Sequence, residues 1–184
     1  MFKKFTPSSD VSGHTPVKSS VQRSIRTNVL SQWKIEPETL EAIWPKKEGL
    51  VHVKCRDHIS VYTVNGEPLF FQHFDEAFFP TLRVIHKYPY ILPAVKIDRG
   101  AIRFVLAGAQ IMCPGLTSKG GELPPEEAAL EAGTPVGVFA EGKEHAVAVG
   151  ITKMGTEAMK KTNKGVGVEA TTYLGDDLWA LETL

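Results

Sequence analysis

The stretch 98–116, DRGAIRFVLAGAQIMCPGL, holds the residue types best suited to binding chemistry. Arg99 and Arg103 supply two cations at the start of a short helix, able to neutralise phosphates. Gly108-Ala109 makes a turn with little side-chain bulk, and Pro114-Gly115 a second bend. Small residues let a nucleic-acid backbone approach the main chain closely, and N–H groups exposed there bind phosphate. The same features describe a tight helix–strand junction that merely packs, and the residues alone weigh the two readings evenly.

Bond-making chemistry has no comparable signature. There is no P-loop, dinucleotide fingerprint, HExxH or nucleophile elbow. Gly165-Val166-Gly167 is better explained as a turn entering a strand. Asp176-Asp177 lacks further ligands at metal-binding spacing and reads as a solvated turn before a buried Trp179. The six histidines, at 14, 52, 58, 73, 86 and 145, are scattered. His52 and His58 could meet across a hairpin with His73 nearby, but surface histidines explain them more simply. Cys55 and Cys113 form no CxxC pair and read as reduced, half-buried thiols, with no base visible beside Cys113. No catalytic residue, metal or cofactor is expected.

These residues need elements to hold them. Residues 6–16 are rich in Ser, Pro, Gly and Thr and read as a loose arm. Thr15-Pro16 reads as a helix start, with Val17, Val21, Ile25 and Val29 on one face. Pro37 opens a second short helix whose Leu40, Ile43 and Trp44 face inward. Alternation then predicts strands over 51–55 and 59–63. Asn65-Gly66 predicts a tight hairpin turn, and residues 69–71 the return strand. Pro80 begins another helix, with Leu82, Ile85 and His86 on its buried side. This half is α+β, with helices packed on a small antiparallel sheet.

Residues 88–93, YPYILP, mark a stiff boundary between an α+β domain over 1–92 and a second domain over 93–184. Beyond it come a strand at 94–97 and a helix from Arg99 to Ala107, inward at Ala101, Ile102, Val105 and Leu106. Phe104 falls mid-helix and reads as core. Gly108 suits the helix end. Short strands follow at 110–113, 135–141, 145–152 and 166–173, with a helix near 156–161 and an acidic loop over 118–133. Many short strands around an embedded helix predict a compact, β-barrel-like domain.

Composition narrows the function classes. The chain has 184 residues, 42% hydrophobic and 23% charged, near the average for globular domains. No apolar run reaches the ~20 residues of a membrane helix, and the start, MFKKF, lacks a secretory signal core. Cytoplasmic residence is expected. Net charge is zero, but residues 1–99 carry 14 Lys and Arg against 10 Asp and Glu, and residues 100–184 carry 7 against 11. Proteins that coat long nucleic acids show a strong basic excess, so any RNA contact here is local and shape-directed.

The second half resembles a PUA domain, the RNA-binding module named for pseudouridine synthase and archaeosine transglycosylase. The carrying pieces are Gly100 to Phe104, Gly108-Ala109, Pro114-Gly115, the strands up to Val149-Gly150, Gly165 to Glu169, and Asp177-Leu178-Trp179. The whole chain resembles the malignant T-cell amplified sequence family, whose yeast members are called translation-machinery-associated proteins. Met1 to Phe5, Thr63 to Glu67, Leu69 to Phe71, Pro80 to Arg83, His86 to Pro89 and Ile111 to Ser118 carry that likeness. It implies a non-catalytic factor that binds the small ribosomal subunit and the acceptor end of tRNA. The implied partner is the density-regulated protein, whose SUI1-type domain this chain has no room for. Together such a pair promotes release of deacylated tRNA and mRNA, reinitiation and unconventional initiation. Arg99 and Arg103 would neutralise the RNA phosphates, Gly100, Gly108, Ala109, Gln110, Ile111, Met112, Pro114 and Gly115 would line the approach, and Lys119 is a weaker candidate. Lys3, Lys4, Lys46 and Lys47 would dock on ribosomal RNA. Leu69, Phe70, Phe71, Phe78 and Phe79 would give an apolar surface to the partner, or else form core. An accessory to RNA modification and a pure protein adaptor are the alternatives.

Overall fold

The computed structural model describes residues 1–184 and arranges them around two five-stranded sheets. The first half runs α1 (Pro7–Asp10), β1 (Val11–Pro16), α2 (Ser19–Trp33), α3 (Pro37–Ile43), β2 (Val51–Cys55), β3 (Ile59–Val64), β4 (Glu67–His73), β5 (Phe79–Pro80) and α4 (Leu82–Lys87). Its strands lie in chain order, each antiparallel to the next. The hairpin between β3 and β4 turns on Asn65 and Gly66 at φ 51° and 81°. Both values belong to the left-handed region that this tight turn demands.

Residues 6–16 are ordered, contrary to the loose arm expected. Residues 11–16 form an edge strand on β2. Almost none of its side chains is buried, so the backbone ladder rather than apolar burial holds it, and the pattern of residue types gives no sign of it. Pro16 closes this strand instead of opening a helix. An edge tolerates a residue without an N–H. Helix α2 therefore starts at Ser19, and its buried stripe is Ile25, Val29 and Trp33. Val21 lies outside the core. In α3, by contrast, Pro37 occupies the first turn, and Leu40, Ile43 and Trp44 are buried.

Successive side chains on a strand face opposite ways, and β4 uses this to build two aromatic layers. Phe70 meets Trp33, Trp44, Tyr62 and Phe78 at ring-centroid distances of 5.0 to 6.2 Å. Phe71 meets Phe2 at 5.0 Å and Phe79 at 5.6 Å. Helices α2 and α3 cover the Phe70 side. Residues Ala146, Val149 and Leu178 of the second half join the same core. The five residues considered for a partner surface, Leu69, Phe70, Phe71, Phe78 and Phe79, are all buried here. A strand covered on both faces reads as a continuous apolar run, which also mimics an exposed sticky patch.

The second half runs β6 (Ala94–Ile97), a 3₁₀ turn (Arg99–Ala101), α5 (Ile102–Val105), β7 (Ile111–Met112), α6 (Cys113–Thr117), a second 3₁₀ turn (Glu126–Ala128), β8 (Pro135–Ala140), β9 (Ala148–Thr152), α7 (Thr156–Thr162), β10 (Val166–Tyr173) and α8 (Asp177–Ala180). The strand order is β6-β8-β9-β10-β7, with β6 parallel to β8 and the other pairs antiparallel. Register shifts in β10 bend the strand, and the sheet curls into a half-barrel over Val95, Ile97, Val138 and Val168. The molecule is thus mixed α+β, as the sequence predicts.

The halves are stitched together. Ile91 and Leu92 of the connecting segment are buried. Arg83 Nη2 donates to the Trp179 carbonyl at 2.8 Å, with its guanidinium over the indole ring. His86 Nε2 lies 2.8 Å from the Ala146 carbonyl. The Phe5 N–H donates to Asp177 Oδ2 at 2.7 Å, and the Asp177 N–H donates to the Phe2 carbonyl at 3.0 Å. The acidic pair is therefore no solvated turn. Asp176 is only 2% exposed and accepts from Thr172 Oγ1, the Tyr173 N–H and the Trp179 N–H. Trp179 itself is only partly buried. Burial raises the Asp176 carboxyl above its ordinary range, against the pull of those three donors and the chain's amino group.

Candidate nucleic-acid interface

The stretch 98–116 folds out and back. It leaves β6 through Asp98, whose Oδ1 accepts the Ala101 N–H at 2.8 Å and caps the 3₁₀ turn. The turn tightens the start of the helix. Of the predicted inward set, Val105 is buried, Ala101 and Ile102 pack half-buried against the core, and Leu106 is exposed. At Gly108 the chain reverses at φ 85°, then returns along β7 into α6. Pro114 and Gly115 lie in the first turn of α6, not in a bend; proline is at home there because no N–H is needed.

Between the outgoing and returning limbs runs a groove of about 650 Å³. Gly100, Ala101, Phe104 and Val105 line one wall, and Ala109 to Met112 with Pro114 and Gly115 line the other. Phe104 is 52% exposed and Met112 48%, so the groove presents an aromatic face and a thioether to solvent. Phe104 is not a core residue, contrary to the reading from sequence. Arg103 holds its guanidinium carbon 4.7 Å from the Phe104 ring. An exposed aromatic face beside a guanidinium is what an unpaired base stacks upon. The main chain contributes too. The N–H groups of Leu106, Ala107, Gly108 and Ala109 all find carbonyls, while that of Gln110 finds no backbone acceptor.

The other candidate residues spread out. Arg99 is exposed and turns its guanidinium toward Gly142, outside the groove lining, and its N–H donates to Glu141 Oε2 at 2.9 Å. Ile111 is buried and forms the groove floor. Lys119 is exposed beyond Ser118 and does not line the groove. Lys46 and Lys47 are exposed just past α3, on the helical side of the first sheet, with the Lys46 N–H on Glu41 Oε1 at 3.0 Å. Lys3 and Lys4 are exposed on the amino-terminal segment. The four lysines therefore do not form one patch. Asp98, Ala101, Phe104, Val105 and Ser118 line the groove without having been expected in the site.

Nothing nearby supports covalent chemistry. No group of three His, Cys, Asp or Glu side chains is placed to hold a metal. His52 lies on Ser60 Oγ at 2.7 Å, and His58 stacks on Phe74 at 4.4 Å. Both thiols are fully buried rather than half-buried. Burial, with Asp10 nearby, pushes the Cys55 thiol up to about 11. Burial also raises Cys113. A second hollow of about 680 Å³ lies beside Lys34 and β6. Its Lys96 is paired with Glu122 at 3.4 Å, and it carries no exposed large apolar side chain.

Comparison with known proteins assigns both halves. A family described as "Pre-PUA-like domain" matches residues 5–89, and "PUA domain" matches residues 93–174. "Translation machinery-associated protein 20" of Schizosaccharomyces pombe is 48% identical over 179 residues, covering 97% of each chain. "Malignant T-cell-amplified sequence 2" of Homo sapiens is 49% identical over 184 residues, covering all of this chain and 99% of its own. The chain belongs to the malignant T-cell-amplified sequence family. A hypothetical protein of Pyrococcus horikoshii, 22% identical, superposes with a TM-score of 0.74 over 92% of this chain and 99% of its own. A PUA domain protein of Thermoplasma acidophilum, 19% identical, gives 0.64 over 91% and 98%. These two share the fold. No helix in this family member is long and apolar enough to cross a membrane.

Proposed function

We propose that this chain is a non-catalytic, RNA-binding translation factor. It holds the acceptor end of a tRNA on the small ribosomal subunit, in the cytoplasm. The observation that carries the reading is the open groove at Phe104 and Met112, in a chain nearly half identical to translation machinery-associated proteins. Single-stranded RNA is read by stacking and backbone contact, and the groove offers an aromatic face, a guanidinium and an unpaired N–H for both. No bond is made or broken. The factor works with a density-regulated, SUI1-containing partner to release deacylated tRNA and mRNA, and to support reinitiation and unconventional initiation. Lys46 and Lys47 are the docking cations for ribosomal RNA, with Lys4. The RNA site comprises Gly100, Arg103, Phe104, Gly108 to Met112, Pro114 and Gly115, with Arg99 and Lys119 at its margin. The partner surface lies outside the buried Leu69 to Phe71 and Phe78-Phe79.

Co-sedimentation with small ribosomal subunits tests this, with and without the density-regulated partner. Wild type should bind more tightly with the partner and release deacylated tRNA. Phe104→Ala and the double variant Arg99→Glu/Arg103→Glu should still sediment but lose release. If wild type fails to associate with the subunit under either condition, the reading is wrong.

A further inference from the structure

The groove has a direction. Its walls join at Gly108, so Phe104, Val105 and Ala109 mark the turn end, and Asp98, Gly115 and Ser118 the opposite end. The only ionisable side chain lining it is Asp98, an acid. Cations must therefore come from the rim. Arg103 supplies one near Phe104. A second approaches from the other half of the molecule. A Cβ placed on Gly108 would lie 3.4 Å from Lys3 Cδ and 3.3 Å from the Tyr173 hydroxyl. Gly108 is thus wedged under the Lys3 stem, and its positive φ already excludes most other residues.

Lys3 is held there firmly. Phe2 is fully buried, with its ring 5.5 Å from Phe5 and 5.0 Å from Phe71. The Phe2 carbonyl and the Phe5 N–H are both bonded to Asp177. Lys3 and Lys4 form a short exposed loop between two anchors fixed to the second half. Yet the Lys3 ammonium forms no ion pair, although six Lys or Arg side chains elsewhere in the chain pair with carboxylates.

We infer that Lys3 is a phosphate ligand of the groove, contributed by the Pre-PUA half, and that with Arg103 it makes the turn end the place where the RNA backbone crosses. This rests on the groove being an RNA site and assigns Lys3 to that site rather than to ribosome docking. The site is then composite, with bases against Phe104 and phosphates between cations from the two halves.

The test is affinity for a short single-stranded RNA with a free 3′ hydroxyl, measured by fluorescence anisotropy over a series of salt concentrations. Each lost phosphate contact on a single strand should reduce the log–log salt slope by about 0.7. Lys3→Ala should lower low-salt affinity by roughly three- to tenfold and flatten the slope by about that amount. Lys3→Arg should restore both. Phe104→Ala should weaken binding at an unchanged slope, because stacking releases no counterions. Lys87→Ala, which removes an equal charge paired to Glu67 at 3.1 Å, should change neither. Thermal melts should match wild type, since Lys3 is exposed. If wild type binds and Phe104→Ala weakens it, but Lys3→Ala keeps the wild-type slope, the Lys3 assignment fails and the groove reading stands. If wild type does not bind this RNA, both fail.

Discussion

The two sheets use their apolar residues in opposite ways. The first is covered on both faces, and its core gathers 28 buried residues, including nine of the twelve Phe, Tyr and Trp rings of that half and three residues of the second; Phe74 and Tyr90 lie exposed, apart from one another. The second gathers 14 around a half-barrel and leaves Phe104, Leu106 and Met112 in solvent, all within the stretch that folds out and back. Exposed apolar residues scattered singly mean little, but clustered ones along a groove mark a binding surface. The contrast separates aromatic residues that hold the fold from Phe104, which lies exposed along the groove, although both kinds sit in equally apolar sequence.

The largest effect should come from attacking the buried side of that contrast. Phe70→Ala removes the ring that Trp33, Trp44, Tyr62 and Phe78 pack around, and should cost about 3–5 kcal/mol in urea denaturation. Next is the seam. Asp176→Ala leaves the Tyr173 and Trp179 N–H groups and the Thr172 hydroxyl without their acceptor, and should cost about 2–3 kcal/mol by the same measurement. The exposed side should behave differently. Phe104→Ala should leave stability within about 0.5 kcal/mol of wild type while losing about 1–3 kcal/mol of RNA affinity, read by anisotropy. Equal stability losses in Phe104→Ala and Phe70→Ala would erase the distinction.

The smallest effect is a pH dependence. Burial holds the folded-state pKa of Asp176 above its unfolded value, so the ionised carboxylate opposes folding. The folded state binds the extra proton between the two values, and stability contributed by this group therefore falls as pH rises through that window. Asp176→Asn removes the titration. As pH is lowered from neutral toward the ordinary carboxylate value of about 4, stability should shift in favour of wild type relative to Asp176→Asn. A shift in the other direction would mean that the three donors outweigh desolvation.

Much of this was legible in the sequence, where a local rule is also the physical cause. Asn65-Gly66 sets the hairpin, Pro37 starts its helix, and alternation marks β2 and β3, because in each case neighbouring residues decide the geometry. The readings that failed depend on partners distant in sequence. The edge strand over 11–16 is defined by hydrogen bonds to 51–55, and Asp177 is tied to the Phe2 carbonyl and the Phe5 N–H at the other end of the chain. Phe104 escaped for a different reason: a mid-helix position suggests core packing, but the helix is a single turn over Ile102–Val105 and leaves the ring 52% exposed. The stretch that lines the groove was visible, while the exposure of Phe104 within it was not.

The clasp between Phe2, Phe5 and Asp177 also governs how the molecule comes to be made. Phe5 and Asp177 are 172 positions apart, so Phe2 and Phe5 leave the ribosome long before the residue that fixes them. Until then the Phe71 side of the first sheet lacks its covering layer, and the nascent half waits with apolar surface uncovered. Contacts at such separation slow folding and tie both halves into one cooperative event. The groove proposed to bind RNA, bordered by Lys3 at one end, is therefore completed only when synthesis has passed Asp177, so partial chains lack its finished rim.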